Sequence, residues 1–178
     1  MPARYYCKIT TLVLASVLLG ACESGPPCSV DILRDAFPKH RAHLNELRNL
    51  LIHMRETNGV YGTQLAYLGT RFLFLGRKYE RRLVRTNGAP VSFGEAAKTL
   101  FSGQPDQLSS LEKLLDSVGA SYAGFSDDSS FRAVVVGGGP LGPDCEYFHV
   151  GDKDIAAYRI RGGYSKMPGE EKWYAVVD

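Results

Sequence analysis

Apolar positions recur with helical spacing along much of this chain and give way, in its last third, to β-branched and aromatic runs. Leu44, Leu47, Leu50, Leu51 and Met54 share one side of a helix, which predicts a helix over 39–57 that Asn58-Gly59 stops. Upstream, Ser29 reads as an N-cap for a short helical turn over 31–37. Pro38 has no N–H and a fixed φ, so it is expected to interrupt that turn and open the longer helix. Ser92-x-x-Glu95 is a capping box opening a helix over 93–101, with Gly103 past its end. Asp106 then caps a helix over 107–118, where Leu108, Leu111, Leu114, Leu115 and Val118 align and Gly119 terminates.

The last third has a different character. FRAVVV (131–136), CEYFHV (145–150), IAAYRIR (155–161) and KWYAVV (172–177) are β-branched and aromatic, and Gly/Pro/Asp-rich stretches separate them. They predict an antiparallel meander. Residues 60–85 read two ways. Leu65, Leu68, Phe72, Leu75, Tyr79 and Leu83 follow steps of three and four, which is helical spacing, although Gly62, Gly69 and Gly76 interrupt it. The competing reading is a hairpin, QLAYL–GT–RFLFL, turning at Gly69. The hairpin faces do not alternate cleanly, so the helix is the expectation. Helices first and strands last predict an α+β fold. N-terminal helices pack on a C-terminal antiparallel β-meander in a single domain over 31–178.

The N-terminus belongs to a different category. Arg4 and Lys8 precede a 13-residue apolar stretch, Ile9 to Ala21. A helix of that length, at about 1.5 Å per residue, falls short of a hydrocarbon core about 30 Å thick. A basic start, a short apolar run and small residues make a secretory signal. Its end, Leu19-Gly20-Ala21-Cys22, resembles the lipobox of bacterial lipoproteins. That resemblance implies cleavage before Cys22, acyl chains on Cys22, and a signal peptide over 1–21. The partner so implied is a membrane, held through those chains. Residues 22–30, with Gly25, Pro26 and Pro27, read as a tether. Glu23 stands where an Asp would favour retention at the inner membrane, so the expected location is the outer membrane, facing the periplasm.

Charge changes the picture once the signal is removed. The whole chain carries +2, and the part after Ala21 is neutral. An excess this small excludes an ordinary nucleic-acid binder. The neutrality hides a segregation: residues 31–88 sum to +6 and residues 89–178 to −5. Either the basic part faces an anionic surface or the two parts attract each other within the fold. Of the four cysteines, Cys7 leaves with the signal and Cys22 is committed to lipid. Cys28 and Cys145 remain, an even pair in an oxidising compartment, and are expected to form a disulfide.

Several motifs invite chemistry and lack its context. Gly137, Gly139 and Gly142 match G-x-G-x-x-G after a strand, but Pro140 and Pro143 fall where the phosphate-binding helix should begin. Ser110-x-x-Lys113 lacks the companion elements of penicillin-binding enzymes. His40 and His43 are one turn apart without an evident third metal ligand, and Asp127-Asp128 and Asp152-x-Asp154 sit in turns. No catalytic residue, metal ligand or cofactor is assigned on these grounds.

The concentrated charge run is Arg77, Lys78, Arg81, Arg82 and Arg85. On a helix, Arg77, Arg81 and Arg85 would form a stripe suited to phosphate headgroups or an acidic partner. Tyr147, Tyr158, Tyr164, Trp173 and Tyr174 gather on the expected sheet, where outward-facing members would form a binding face. The helical first half and the closing YRI…WYAVVD pattern are also similar to small proteobacterial lipoproteins of unknown function. The expectation is a lipid-anchored envelope protein with a non-catalytic binding or assembly role, its partner an envelope protein or an anionic glycolipid. A small envelope hydrolase and a membrane-held immunity or inhibitor protein are the alternatives.

Overall fold

The computed structural model describes residues 28–70, 77–86, 89–126, 129–136, 144–151, 155 and 163–177. It has an α+β architecture, with helices on one face of an eight-stranded antiparallel sheet. The chain opens with α1 (Val30–Asn58), followed by β1 (Val60–Thr70), β2 (Arg77–Arg85) and β3 (Pro90–Ser92). Two shorter helices, α2 (Phe93–Thr99) and α3 (Pro105–Val118), come next. The strands β4 (Tyr122–Phe125), β5 (Phe131–Val136), β6 (Cys145–His149), β7 (Gly163–Lys166) and β8 (Trp173–Val177) complete it.

The helix signals are borne out with two corrections, at Pro38 and at the start of α3. Ser29 Oγ accepts from the Ile32 N–H at 3.2 Å and Ser92 Oγ from the Glu95 N–H at 3.2 Å, while Gly59 and Gly119 end their helices left-handed. The break expected at Pro38 does not occur, because α1 runs through it. Proline leaves the carbonyl four residues earlier without its donor. That carbonyl belongs to Arg34, and both Arg34 and Pro38 are exposed, so the lost bond falls on the solvent side of the helix and not in the core. Leu33 and Phe37, buried on the other side, seat both halves of the helix on one core. At α3 the cap is Gln104 and not Asp106, with Pro105 in the first turn.

The larger correction concerns residues 60–85. The described parts, 60–70 and 77–85, pair as antiparallel strands and are not helical, so strands are not confined to the C-terminal part. The expected hairpin alternative had a different turn: β1 continues through Thr70, which pairs with Arg77. Two bulges interrupt β1, and the one at Leu68 accounts for the step of three from Leu65. Val60 pairs with Arg85 and Gly62 with Val84, leaving Tyr61 extra; Leu68 is extra in the same way between Tyr67 and Gly69. An extra residue turns a step of two into a step of three on one face.

The sheet order β3-β2-β1-β4-β5-β6-β8-β7 divides into two ribbons, β1–β3 and β4–β8. They join along a three-pair seam, Gly62↔Gly124, Thr63↔Ala123 and Gln64↔Tyr122. The seam needs its glycines: a Cβ on Gly62 would lie 2.6 Å from the Ala123 carbonyl oxygen and 2.8 Å from Gly124 Cα. On the helix side, α1 lays Leu33, Phe37, Leu44, Leu47, Leu51 and Met54 against the sheet, and α3 adds Leu108, Leu111, Leu115 and Val118. Facing them are Leu83, Ala123, Phe131, Ala133, Tyr147, Trp173 and Ala175. On the opposite face, Phe148, Val150 and Val176 form a second, smaller cluster packed by Ile155 and Tyr174. The strand expected over 155–161 lies outside the described residues apart from Ile155, and β7 was not foreseen.

Candidate functional site

One end of the sheet collects the features that face outward from the fold. Cys28, immediately before α1, is disulfide-bonded to Cys145, the first residue of β6, with Cα atoms 5.7 Å apart. The pair expected from cysteine counting is therefore present. Cys28 and Ser29, counted with the tether by sequence, belong to the folded body.

The register fixes what else lies at this end. One row of partners crosses the sheet: Gln64, Tyr122, Val134, Glu146 and Val176. Strand directions alternate, so β1 leaves this row toward Leu65 on the same side as β6 begins at Cys145. Among the described residues, β1 has no β4 partner beyond Gln64, and β2 no β3 partner before Arg82. Yet the hairpin continues outward through Leu65↔Arg81, Ala66↔Glu80, Tyr67↔Tyr79, Gly69↔Lys78 and Thr70↔Arg77. At about 3.3 Å per residue this two-stranded arm projects about 17–20 Å beyond the row. Its apolar residues are unusually open: Leu65 is 39% exposed, Leu68 42% and Tyr79 45%.

The basic run is distributed over this ribbon and makes no helical stripe. Arg77 and Lys78 occupy the outermost register pairs of the arm. Arg81 reaches α3, where it donates to Asp116 Oδ1 at 2.5 Å. Arg82 donates to Glu80 Oε2 at 3.0 Å. Arg85 is at the far end of β2 opposite Val60, half-buried, its Nε without a hydrogen-bond partner. Arg81–Asp116 and Arg41–Glu170 each join the basic part of the chain to the acidic part, so some of the charge segregation is spent inside the fold.

A second polar group occupies the sheet face turned away from the helices. Arg132 Nη2 donates to Glu146 Oε1 at 2.7 Å, with the Glu146 side chain only 4% exposed, and the guanidinium lies 5.8 Å from the Phe148 ring centroid. Tyr122 is beside them. Burial raises its hydroxyl pKa, Arg132 opposes that, and Glu146 adds to it. A tyrosine so placed stays protonated and serves as a neutral hydrogen-bonding group.

His149, at the end of β6, is the most perturbed imidazole. Its ring is 5.0 Å from Trp173, whose Nε1 donates to Asn45 Oδ1 at 3.2 Å, and Arg48 follows Asn45 by one turn. Burial above all, then the Arg48 and Lys172 charges, hold His149 at about 4, against weaker hydrogen bonds to the backbone at 149 and 150. It is neutral at pH 7, and Arg48 Nε is buried without a hydrogen-bond partner. His40 packs beside Tyr147, ring centroids 6.3 Å apart, and His53 is exposed. Among the described residues no three His, Cys, Asp or Glu converge as a metal set.

The aromatic expectation divides between two fates. Tyr147 and Trp173 are core; burial pushes the Tyr147 hydroxyl up to about 12, and it donates to the Leu33 carbonyl at 3.2 Å. Tyr164 and Tyr174 meet edge-on at 6.1 Å on the opposite face, with Tyr164 half exposed. Tyr158, the Gly137–Gly142 loop, Asp127-Asp128, Asp152, Asp154, the signal and Cys22 lie outside the described residues. Sequence reasoning missed the arm and the Arg132–Glu146–Tyr122 group. The arm had a signal in the hairpin alternative, whereas the polar group depends on register and had none. No described helix is long and apolar enough to cross a membrane. No protein-family model, curated protein or solved structure matches the chain.

Proposed function

We propose that this chain is a lipid-anchored protein of the bacterial cell envelope, with a non-catalytic binding or assembly role. Acyl chains on Cys22 hold it to the membrane, expected to be the outer membrane on its periplasmic side. The observation that carries the reading is the Cys28–Cys145 disulfide. Such bonds persist in oxidising compartments, which a signal over 1–21 would deliver the chain to. The bond also ties the base of the tether to the sheet, so a pull on Cys22 is transmitted to β6 and not to the end of α1 alone. The arm supports a docking role, because it carries open apolar residues and a run of basic positions outside the core. The envelope component docked is an envelope protein or an anionic glycolipid or lipid.

The test is the Cys22→Ser variant. Palmitate labelling is expected to disappear and the protein to move from the membrane pellet into the soluble periplasmic fraction. Continued pelleting in high salt, with labelling intact, would overturn the anchor.

A further inference from the structure

The arm and the tether leave the body from the same end, and their lengths match. Six residues, Cys22 to Pro27, precede Cys28. Fully extended they span at most about 20 Å. The arm projects about 17–20 Å from the same end, three strands to the side of Cys145, or about 14 Å. A bilayer holding acyl chains on Cys22 therefore lies within the arm's reach. The far end of the sheet, with Gly59 and His149, points away from it.

The composition of the arm suits that surface. Among the described residues Leu65 and Leu68 are the exposed leucines, and Ile32 on α1 is exposed as well. Tyr79 adds an amphipathic ring of the kind that settles at headgroup level. Arg77 and Lys78 occupy the outermost register positions described for β2, and basic positions there suit a surface of anionic headgroups. Arg81 and Arg82, nearer the body, are engaged with Asp116 and Glu80.

We propose that the outer part of the β1–β2 arm, residues 65–70 and 77–80, seats on the anionic bilayer that carries the Cys22 acyl chains. The proposal rests on the anchor reading. It makes the arm a second membrane contact, which fixes the orientation of the sheet relative to the membrane. One acyl chain alone gives marginal attachment, and a basic apolar patch is the kind of second signal that steadies it.

The experiment uses the full lipidated protein, reconstituted in vesicles containing phosphatidylglycerol, with Leu68→Trp as a depth probe. The single native tryptophan, Trp173, is buried and provides the background. Vesicles with lipids brominated near the headgroup are expected to quench the emission of the introduced indole at least twofold and the Trp173 background little. The emission should shift to the blue on reconstitution, and phosphatidylcholine vesicles should quench severalfold less. Leu65→Trp repeats the measurement should the first variant fold poorly. Water-like emission without quenching, in protein that floats with the vesicles, overturns the arm contact and leaves a protein as its occupant. Equal quenching in neutral vesicles overturns the role given to anionic headgroups. Protein that does not float with vesicles at all marks failure of the anchor, which is a different result.

Discussion

The two ribbons of the sheet are built from different sequence materials. β4–β8 consists of short strands of β-branched and aromatic residues, covered by α1 on one face and in part by Ile155 on the other. β1–β2 is long, bulged twice, rich in glycine, leucine and arginine, and backed by helix only near its inner end. The first ribbon is stabilised by burial on both sides. The second gains burial near the seam and exposes its outer pairs. Stability is therefore expected to concentrate in β4–β8 with α1, and interaction in the arm.

The largest perturbation of that division is loss of the disulfide. Cys28→Ser frees a loop of 117 residues, and the chain-entropy account gives about 5 kcal/mol of destabilisation, read by urea denaturation. Trp173→Ala should come next. Its indole packs on Phe37, Phe131 and His149, so a loss of about 3–5 kcal/mol is expected from the same measurement. Gly62→Ala attacks the seam where the ribbons meet. The added methyl meets backbone on the partner strand, and the expected cost is about 2 kcal/mol. A result near zero would mean that the seam shifts freely and the ribbons are less tightly joined.

The pH dependence also belongs to the buried side. His149 is held at about 4, below its ordinary 6.5. The unfolded chain then binds the proton more readily, so stability is full above pH 6.5 and declines as pH falls towards 4. The loss should be on the order of 2 kcal/mol, given the partial exposure of the ring. Thermal melts between pH 7 and 4 would show it, and His149→Phe should flatten this part of the slope. The smallest effect is expected on the arm, where Leu68→Ser should change stability by no more than about 0.5 kcal/mol. A drop of 2 kcal/mol there would show that the arm is part of the core.

The arm was legible only as the weaker of two readings. Leu65 and Leu68 stand three apart because Leu68 is a bulge residue, and the same spacing is what a helix would give. A single sequence has no means of separating the two, since a bulge is set by the partner strand. The basic run misled for the same reason. Arg77, Arg81 and Arg85 would align on a helix, but on β2 they separate to the arm's end, α3 and the opposite end of the sheet. The C-terminal strands were plain because β-branched and aromatic runs bounded by Gly, Pro and Asp are written directly in FRAVVV, CEYFHV and KWYAVV.

By itself the sequence determined the caps at Ser29 and Ser92, the stops at Gly59 and Gly119, the α+β class and the pairing of Cys28 with Cys145. Each of these depends on a local backbone requirement, a buried periodicity or simple cysteine arithmetic. Only the tertiary structure decided that α1 passes through Pro38, that β1 and β2 pair as strands, that Gly62 meets Gly124, and that Arg132 finds Glu146. Those outcomes depend on which surfaces meet. An orphaned carbonyl falls on the solvent side, a partner strand sets a bulge, and register brings distant side chains to one face. The physical reason is that local propensity spans at most a few kcal/mol over a segment, which burial against a neighbour readily outweighs.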